Sequence, residues 1–293
     1  MIDVIIDWIH ETASHKEYSF VDASEAIDKR IGSLKKEEIL ELVEEIHVIP
    51  EAFGHDSSEE KIYAKASDSI VARALAQLGL TTRVLSERGD AADVIGQSSQ
   101  HGYSFVADSK VFRLSRTAKN QKDFKVDSMN AWRGDCDYAV VVCPYYQYPS
   151  TKSAIYKKSV SYNVGLLGFE HIGFLLRSDV CENKDVSFER LFGHPAELQR
   201  ELSVAESSRA SHSRAKLRDT VLEITGEKPG DLGDYIAHFH SKLGGRAQQE
   251  IAFWESEMER IRGLSHEEAI DALIDARKIR SKIATIQAFL AGD

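Results

Sequence analysis

The chain has 293 residues, enough for a buried core and, at roughly 150 residues per domain, for one or two domains. Hydrophobic residues make up 42% and charged residues 29%, a globular composition that excludes disordered and fibrous classes. Lys plus Arg number 37 against 47 Asp plus Glu, a net charge of −10, so a uniformly basic nucleic-acid coat is excluded and any polyanion must be met by a local basic patch.

No apolar run approaches the roughly 18 residues of a membrane span. The opening Met1 to Asp7 lacks the basic segment of a signal peptide. Cys136, Cys143 and Cys181 form no Cys-x-x-Cys pair, which argues against a disulfide scaffold or zinc ribbon. No membrane partner and a cytoplasmic location are expected.

Residues 1–82 read as helical. Ser33 is expected to cap a helix from Lys35 to Ile46, with Ile39, Val43 and Ile46 on one face and Pro50 ending it. A second helix starts near Glu60, buries Val71, Leu75 and Leu78, and stops at Gly79. Residues 83–180 change period. Strands are expected from Asp93, over Tyr103 to Lys110, over Tyr138 to Cys143 and over Val164 to Phe169, with a short crossover helix from Ser153 to Lys158. Residues 181–293 return to helix. Stripes at Ile251, Trp254, Met258 and Ile261, and at Ile279, Ile283, Ile286 and Leu290, read as core, with a dimer seam as the alternative. The fold expected is α/β, a single domain over 1–293 with a mixed sheet of four to six strands and flanking helices at both ends.

The chemistry sits in the middle part. Alternate strand residues share a face, so Asp108 and Lys110 project together at the end of their strand. If Asp93 begins the neighbouring hairpin strand, its carboxylate meets Asp108. Two hard oxygen ligands suit Mg²⁺, and a lysine beside the ion suits orientation of an attacking water. Directly after this triplet, Lys110, Arg113, Arg116, Lys119, Lys122 and Lys125 recur every third residue. Between 108 and 126 the balance is +4, leaving −14 for the remainder. A phosphate backbone is the matching partner. Asn120 and Lys122 carry groups suited to base edges in the major groove. Glu60 is a candidate for the metal's surroundings, set against an ordinary helix-start carboxylate. His238 and His240 diverge on a helix and read as surface or packing residues, and Cys143 as a small buried hydrophobe.

The run Arg113 to Val126 resembles the HindIII family of type II restriction endonucleases. So do Ile49-Pro50-Glu51-Ala52, Arg88-Gly89 with Asp93-Val94-Ile95, Val106-Ala107-Asp108 and Gln147-Tyr148-Pro149. The likeness is close over about 39–160 and returns near Glu267 and Ser281. It implies a PD-(D/E)xK nuclease sheet and a homodimer on palindromic double-stranded DNA. It further implies Mg²⁺ dependence, cleavage leaving 5′-phosphates, and the target AAGCTT cut between its two adenines. It aligns Asp93 and Asp108 with the family's acids and Lys110 with its lysine. Ala92 stands where the family name has Pro, and Ser86-Glu87 stand where Glu-Gln is expected, which leaves an auxiliary role for Glu87 open. Asp123 lies within the shared run and serves either the metal or cytosine N4. Such enzymes have a cognate DNA methyltransferase in the host. Two other readings are a structure-specific repair nuclease and a DNA-binding protein without cleavage.

Overall fold

The computed structural model describes residues 1–15, 17–85, 91–116, 121–150, 153–201 and 209–291. Among them, five strands form one mixed sheet in chain order: β1 (Thr81–Val84), β2 (Val94–Gln97), β3 (Ser104–Ser109), β4 (Tyr138–Val142) and β5 (Val164–Leu167). β1, β2 and β3 run antiparallel, while β3, β4 and β5 run parallel. The antiparallel half needs only tight turns. Between β2 and β3, Ser98 N–H donates to Tyr103 O at 2.8 Å, and Gly102 takes φ +75° to reverse the chain. The parallel half needs crossovers. These carry α5 (Val126–Trp132) and α6 (Ala154–Tyr162), the latter capped by the Ser153 hydroxyl on Ile155 N–H.

The alternation of β3 divides the core in two. Phe105 and Ala107 join Val140, Val142 and Leu167 in the larger core. That core is closed by α4 (Ser58–Gln77), α7 (Phe169–Arg177) and α8 (Glu189–Glu201). Val106 joins Ala139, Val141, Val164 and Leu166 on the other face, against α5 and α6. The Phe105 ring stacks on Phe192 at 4.4 Å and lies over Gly96, where a Cβ would come within 2.3 Å of Phe105 Cζ. A fully buried ring of this kind contributes about 1.5–3 kcal/mol. β3 is buried on both faces, so its polar residues must find partners inside the protein.

The remaining helices are α1 (Ile2–Ser14), α2 (Phe20–Gly32) and α3 (Lys36–Val43) before the sheet. After it come α9 (Arg209–Thr225), α10 (Pro229–Arg262), α11 (His266–Ala276) and α12 (Ile279–Ala291). The described chain packs as two compact units, Met1–Arg246 and Ala247–Asp293. The first holds the sheet and both cores.

Several local expectations are corrected. Ser33 closes α2 as its C-cap instead of opening α3, which begins after Lys35 with Glu38 accepting the Lys35 N–H. α3 ends at Val43, well before Pro50, because Val48 pairs with Phe112 in a parallel bridge. β5 stops at Leu167, and Phe169 opens α7 behind Gly168. The edge strand β1 was not foreseen. Ile251, Trp254, Met258, Ile261, Ile279, Ile283 and Ile286 lie at the surface, not in a core. Gly79 does stop α4: it takes φ +93°, and a Cβ there would sit 2.7 Å from Cys181 Sγ and 2.9 Å from Glu182 O.

Candidate active site

The register β2–β3 pairs Val94 with Ala107. One further residue along, Asp93 falls opposite Asp108 on the same face. Asp93 is held in that extension by its carbonyl, which accepts from Leu85 N–H at 2.8 Å. Lys110 follows Asp108 by two residues and donates to Asp108 Oδ1. Its own backbone N–H donates to Val142 O at 2.7 Å, so the end of β3 stays attached to β4 up to the lysine.

A third carboxylate completes the group, and it comes from a helix. Single oxygens of Asp68, Asp93 and Asp108 all lie within 4.8 Å of one another. Asp68 projects from α4 and accepts the Ser109 N–H on Oδ1 at 2.9 Å. The neighbouring Ser67 hydroxyl bonds the Ser109 hydroxyl, so α4 grips the residue between Asp108 and Lys110 twice. One turn earlier, Lys65 Nζ donates to Asp93 Oδ1 at 2.8 Å and to Leu85 O at 2.7 Å. Sequence reasoning missed Asp68 and Lys65. The signal was present: Val71, Leu75 and Leu78 define the buried stripe of α4, and Asp68 sits three residues before Val71 on that stripe. A carboxylate in a core-facing position demands a partner.

Together these residues line a cleft of about 520 Å³. Asp68 and Asp108 are almost fully buried, and Asp93 is half-buried. Burial is the main force pushing the Asp68 and Asp108 carboxyls above the usual carboxylate range. The negative charge of Asp93 adds to it for both, while the Lys110 ammonium pulls each back. Asp108 Oδ2 is buried and accepts no hydrogen bond; Lys125 Nζ stands 3.9 Å from it. Lys125 caps α5 at φ +47° and also lies 4.9 Å from the Trp132 ring centroid. Three converging carboxylates with an orphaned buried oxygen fit a hard divalent cation, whose ligands are oxygens.

The basic run does not form one surface. Arg113 is spent inside the protein. It donates to Pro50 O at 2.9 Å and Phe53 O at 2.8 Å, and grips Glu60 Oε1 through both Nε and Nη2. The same contact places Glu60 away from the aspartate cluster, in a separate group with His55 and Asp56. Arg116 pairs with Asp123 at 2.8 Å and covers the Phe112 ring, so Asp123 also stands outside the cluster. Lys122 is exposed on the short 3₁₀ turn Gln121–Phe124. Glu87, Lys119 and Asn120 lie outside the described residues. His171 and Cys143 are buried; His171 Nδ1 accepts the Gly168 N–H at 3.1 Å, and burial lowers its pKa to about 3. His238 lies 3.9 Å from Glu44, while Phe239 stacks on His47 in the core.

Comparison with known proteins identifies the family. Residues 5–290 match the model of the HindIII restriction endonuclease family. The type II restriction enzyme HindIII of Haemophilus influenzae (strain ATCC 51907 / DSM 11121 / KW20 / Rd) is 37% identical over 273 residues, covering 93% of this chain and 90% of that enzyme. The chain therefore belongs to the HindIII restriction endonuclease family: it is a type II restriction endonuclease, a site-specific DNA nuclease of a restriction system.

Proposed function

We propose that this endonuclease hydrolyses double-stranded DNA at AAGCTT, between the two adenines, leaves 5′-phosphates, and depends on Mg²⁺. The observation that carries the reading is the convergence of Asp93 and Asp108 from two strands, with Lys110 beside them and Asp108 Oδ2 left without a hydrogen bond. Asp93 and Asp108 are the residues assigned to hold the ion. Bound there, Mg²⁺ supplies neutralisation of phosphate charge and a water of lowered pKa. Lys110 keeps its ammonium at the edge of the cluster, where it orients the attacking water and holds it against the scissile phosphorus. Exposed Lys122 and half-exposed Lys125 extend positive charge from the cleft toward the flanking backbone. Arg116, Lys119, Asn120 and Asp123 belong to the shared run from which the AAGCTT assignment comes, and they are assigned to DNA contact. Arg113 serves that run as the brace of the preceding loop.

The enzyme acts as a homodimer, since a palindrome presents two equivalent strands to a two-fold axis. It works in the cytoplasm, as one endonuclease over the full chain, beside a host methyltransferase that protects the same sites.

A plasmid with one AAGCTT site tests this. Purified protein with Mg²⁺ gives a single linear product with 5′-phosphate ends, and none with EDTA. Asp108→Asn retains duplex binding and loses roughly 10²–10³-fold or more in cleavage rate. Cleavage at the parental rate by Asp108→Asn discards the site. Nicking that follows DNA structure, without a recurrent end sequence, replaces the function by that of a structure-specific nuclease; binding without any cleavage replaces it by that of a non-cutting DNA-binding protein.

A further inference from the structure

We infer that Asp68 is a third carboxylate ligand of the divalent cation and, through Ser109, the residue that fixes the spacing of Asp108 and Lys110. The inference rests on the aspartate cluster being the nuclease site and adds a residue that the Asp…Asp-x-Lys pattern does not contain.

Two independent observations carry it. The first is position. Asp68 lies on the buried stripe of α4, is 4% exposed, and brings a carboxylate oxygen within 4.8 Å of those of Asp93 and Asp108. A helix has no structural need for a third like charge there, since each neighbouring carboxylate raises the cost of ionising the others. Lys65 and Lys110 offset part of that charge but are committed to Asp93 and Asp108. The second is Asp108 Oδ2, buried at the same cleft without a hydrogen bond, its nearest charge being Lys125 Nζ at 3.9 Å. A cation shared by all three carboxylates answers both the excess charge and the missing hydrogen bond.

The division of labour follows from the hydrogen bonds. Asp68 Oδ1 takes the Ser109 N–H at 2.9 Å, and this leaves Oδ2 for the cation. Ser109 is the middle residue of Asp108-Ser109-Lys110. Tied by its backbone to Asp68 and by its hydroxyl to Ser67, it cannot shift along the strand without dragging α4. Asp68 thus sets where the acid and the amine on either side of Ser109 stand.

The test uses the full-length protein with Asp68→Asn, Asp68→Ala and Asp108→Asn. It reads the Mg²⁺-induced rise in melting temperature and Tb³⁺ luminescence, together with cleavage. Asparagine keeps an oxygen for the Ser109 N–H but removes the charge. If Asp68 is a ligand, Asp68→Asn melts at or above the parental temperature without metal, because a buried repulsion is gone. Its apparent affinity for Tb³⁺ falls at least tenfold, its Mg²⁺-induced rise shrinks, and cleavage falls in parallel. Asp68→Ala loses the tie as well and melts lower. Parental ion affinity and cleavage in Asp68→Asn overturn the inference, even with Asp108→Asn inactive, and leave the nuclease site standing. Parental cleavage by Asp108→Asn instead overturns the site itself. Should Asp68→Asn melt below the parent and lose its near-ultraviolet circular dichroism, Asp68 is a structural brace only and the ligand role is overturned.

Discussion

Glu170 shows what burial does to one side chain. It lies in the first turn of α7, fully buried, with both oxygens accepting the Tyr145 N–H at 3.0 Å. No cation pairs with it in the hydrogen-bond or ion-pair network of the described residues. Burial pushes its pKa from 4.5 up to about 7, against the pull of its backbone N–H donors. The sign follows from proton linkage. Between pH 4.5 and about 7 the folded protein keeps a proton that the unfolded chain has lost. The protonated form's stabilisation is complete below 4.5 and is lost as pH rises through 7, a loss on the order of 3 kcal/mol. Glu170→Gln keeps an acceptor for Tyr145 and has no charge to bury. It is expected to exceed the parent in stability at pH 8 and to match it near pH 5, measured by urea unfolding at both pH values. A constant difference across that range contradicts the assignment.

At the scale of elements, the basic run separates into parts with different work. Arg113 fastens the start of α4 and the 50–54 loop to the segment that follows β3, through Pro50, Phe53 and Glu60. Arg113→Ala is expected to cost about 3 kcal/mol, since it strands Glu60 and several carbonyls. It should lower Tm and leave the salt dependence of duplex binding unchanged. Lys122→Ala should do the reverse: no change in Tm, and a salt slope reduced by about one. Paired melting and salt-titrated band shifts decide this, and a reduced slope in Arg113→Ala would return that residue to the DNA surface. Much at this scale was legible in the sequence. The alternation in β3 placed Asp108 with Lys110, and the turn signal over Gly96 to Gly102 brought Asp93 back beside them, although Gly96 and Gln97 belong to β2 itself. Charge periodicity, by contrast, says nothing about partners, so Arg113 and exposed Lys122 looked alike. Asp68 is faint because Ala66, Ser67 and Ser69 around it blur the apolar stripe that it shares with Val71 and Leu75. β1 was hidden because its residues alternate between exposed and half-buried and carry no apolar signal.

For the molecule as a whole, the sheet, both hydrophobic cores and the aspartate cluster belong to the unit ending at Arg246. A chain truncated after Arg246 is therefore expected to fold and to bind Tb³⁺ with parental affinity; loss of cooperative melting would show that 247–293 is needed for the core. The apolar periodicity of α10 and α12 was read correctly as helix, but periodicity names a face without saying what covers it, and here Ile251 and Ile283 are exposed. The grip of α4 on Ser109 has one last consequence, for synthesis. The three aspartates are 25 and 15 residues apart along the chain, at 68, 93 and 108. They meet only after a helix has closed over a sheet whose central strand awaits β4, made some thirty residues later. The three carboxylates of this nuclease thus come together only when its fold is finished, because the same closure that completes the protein assembles its site.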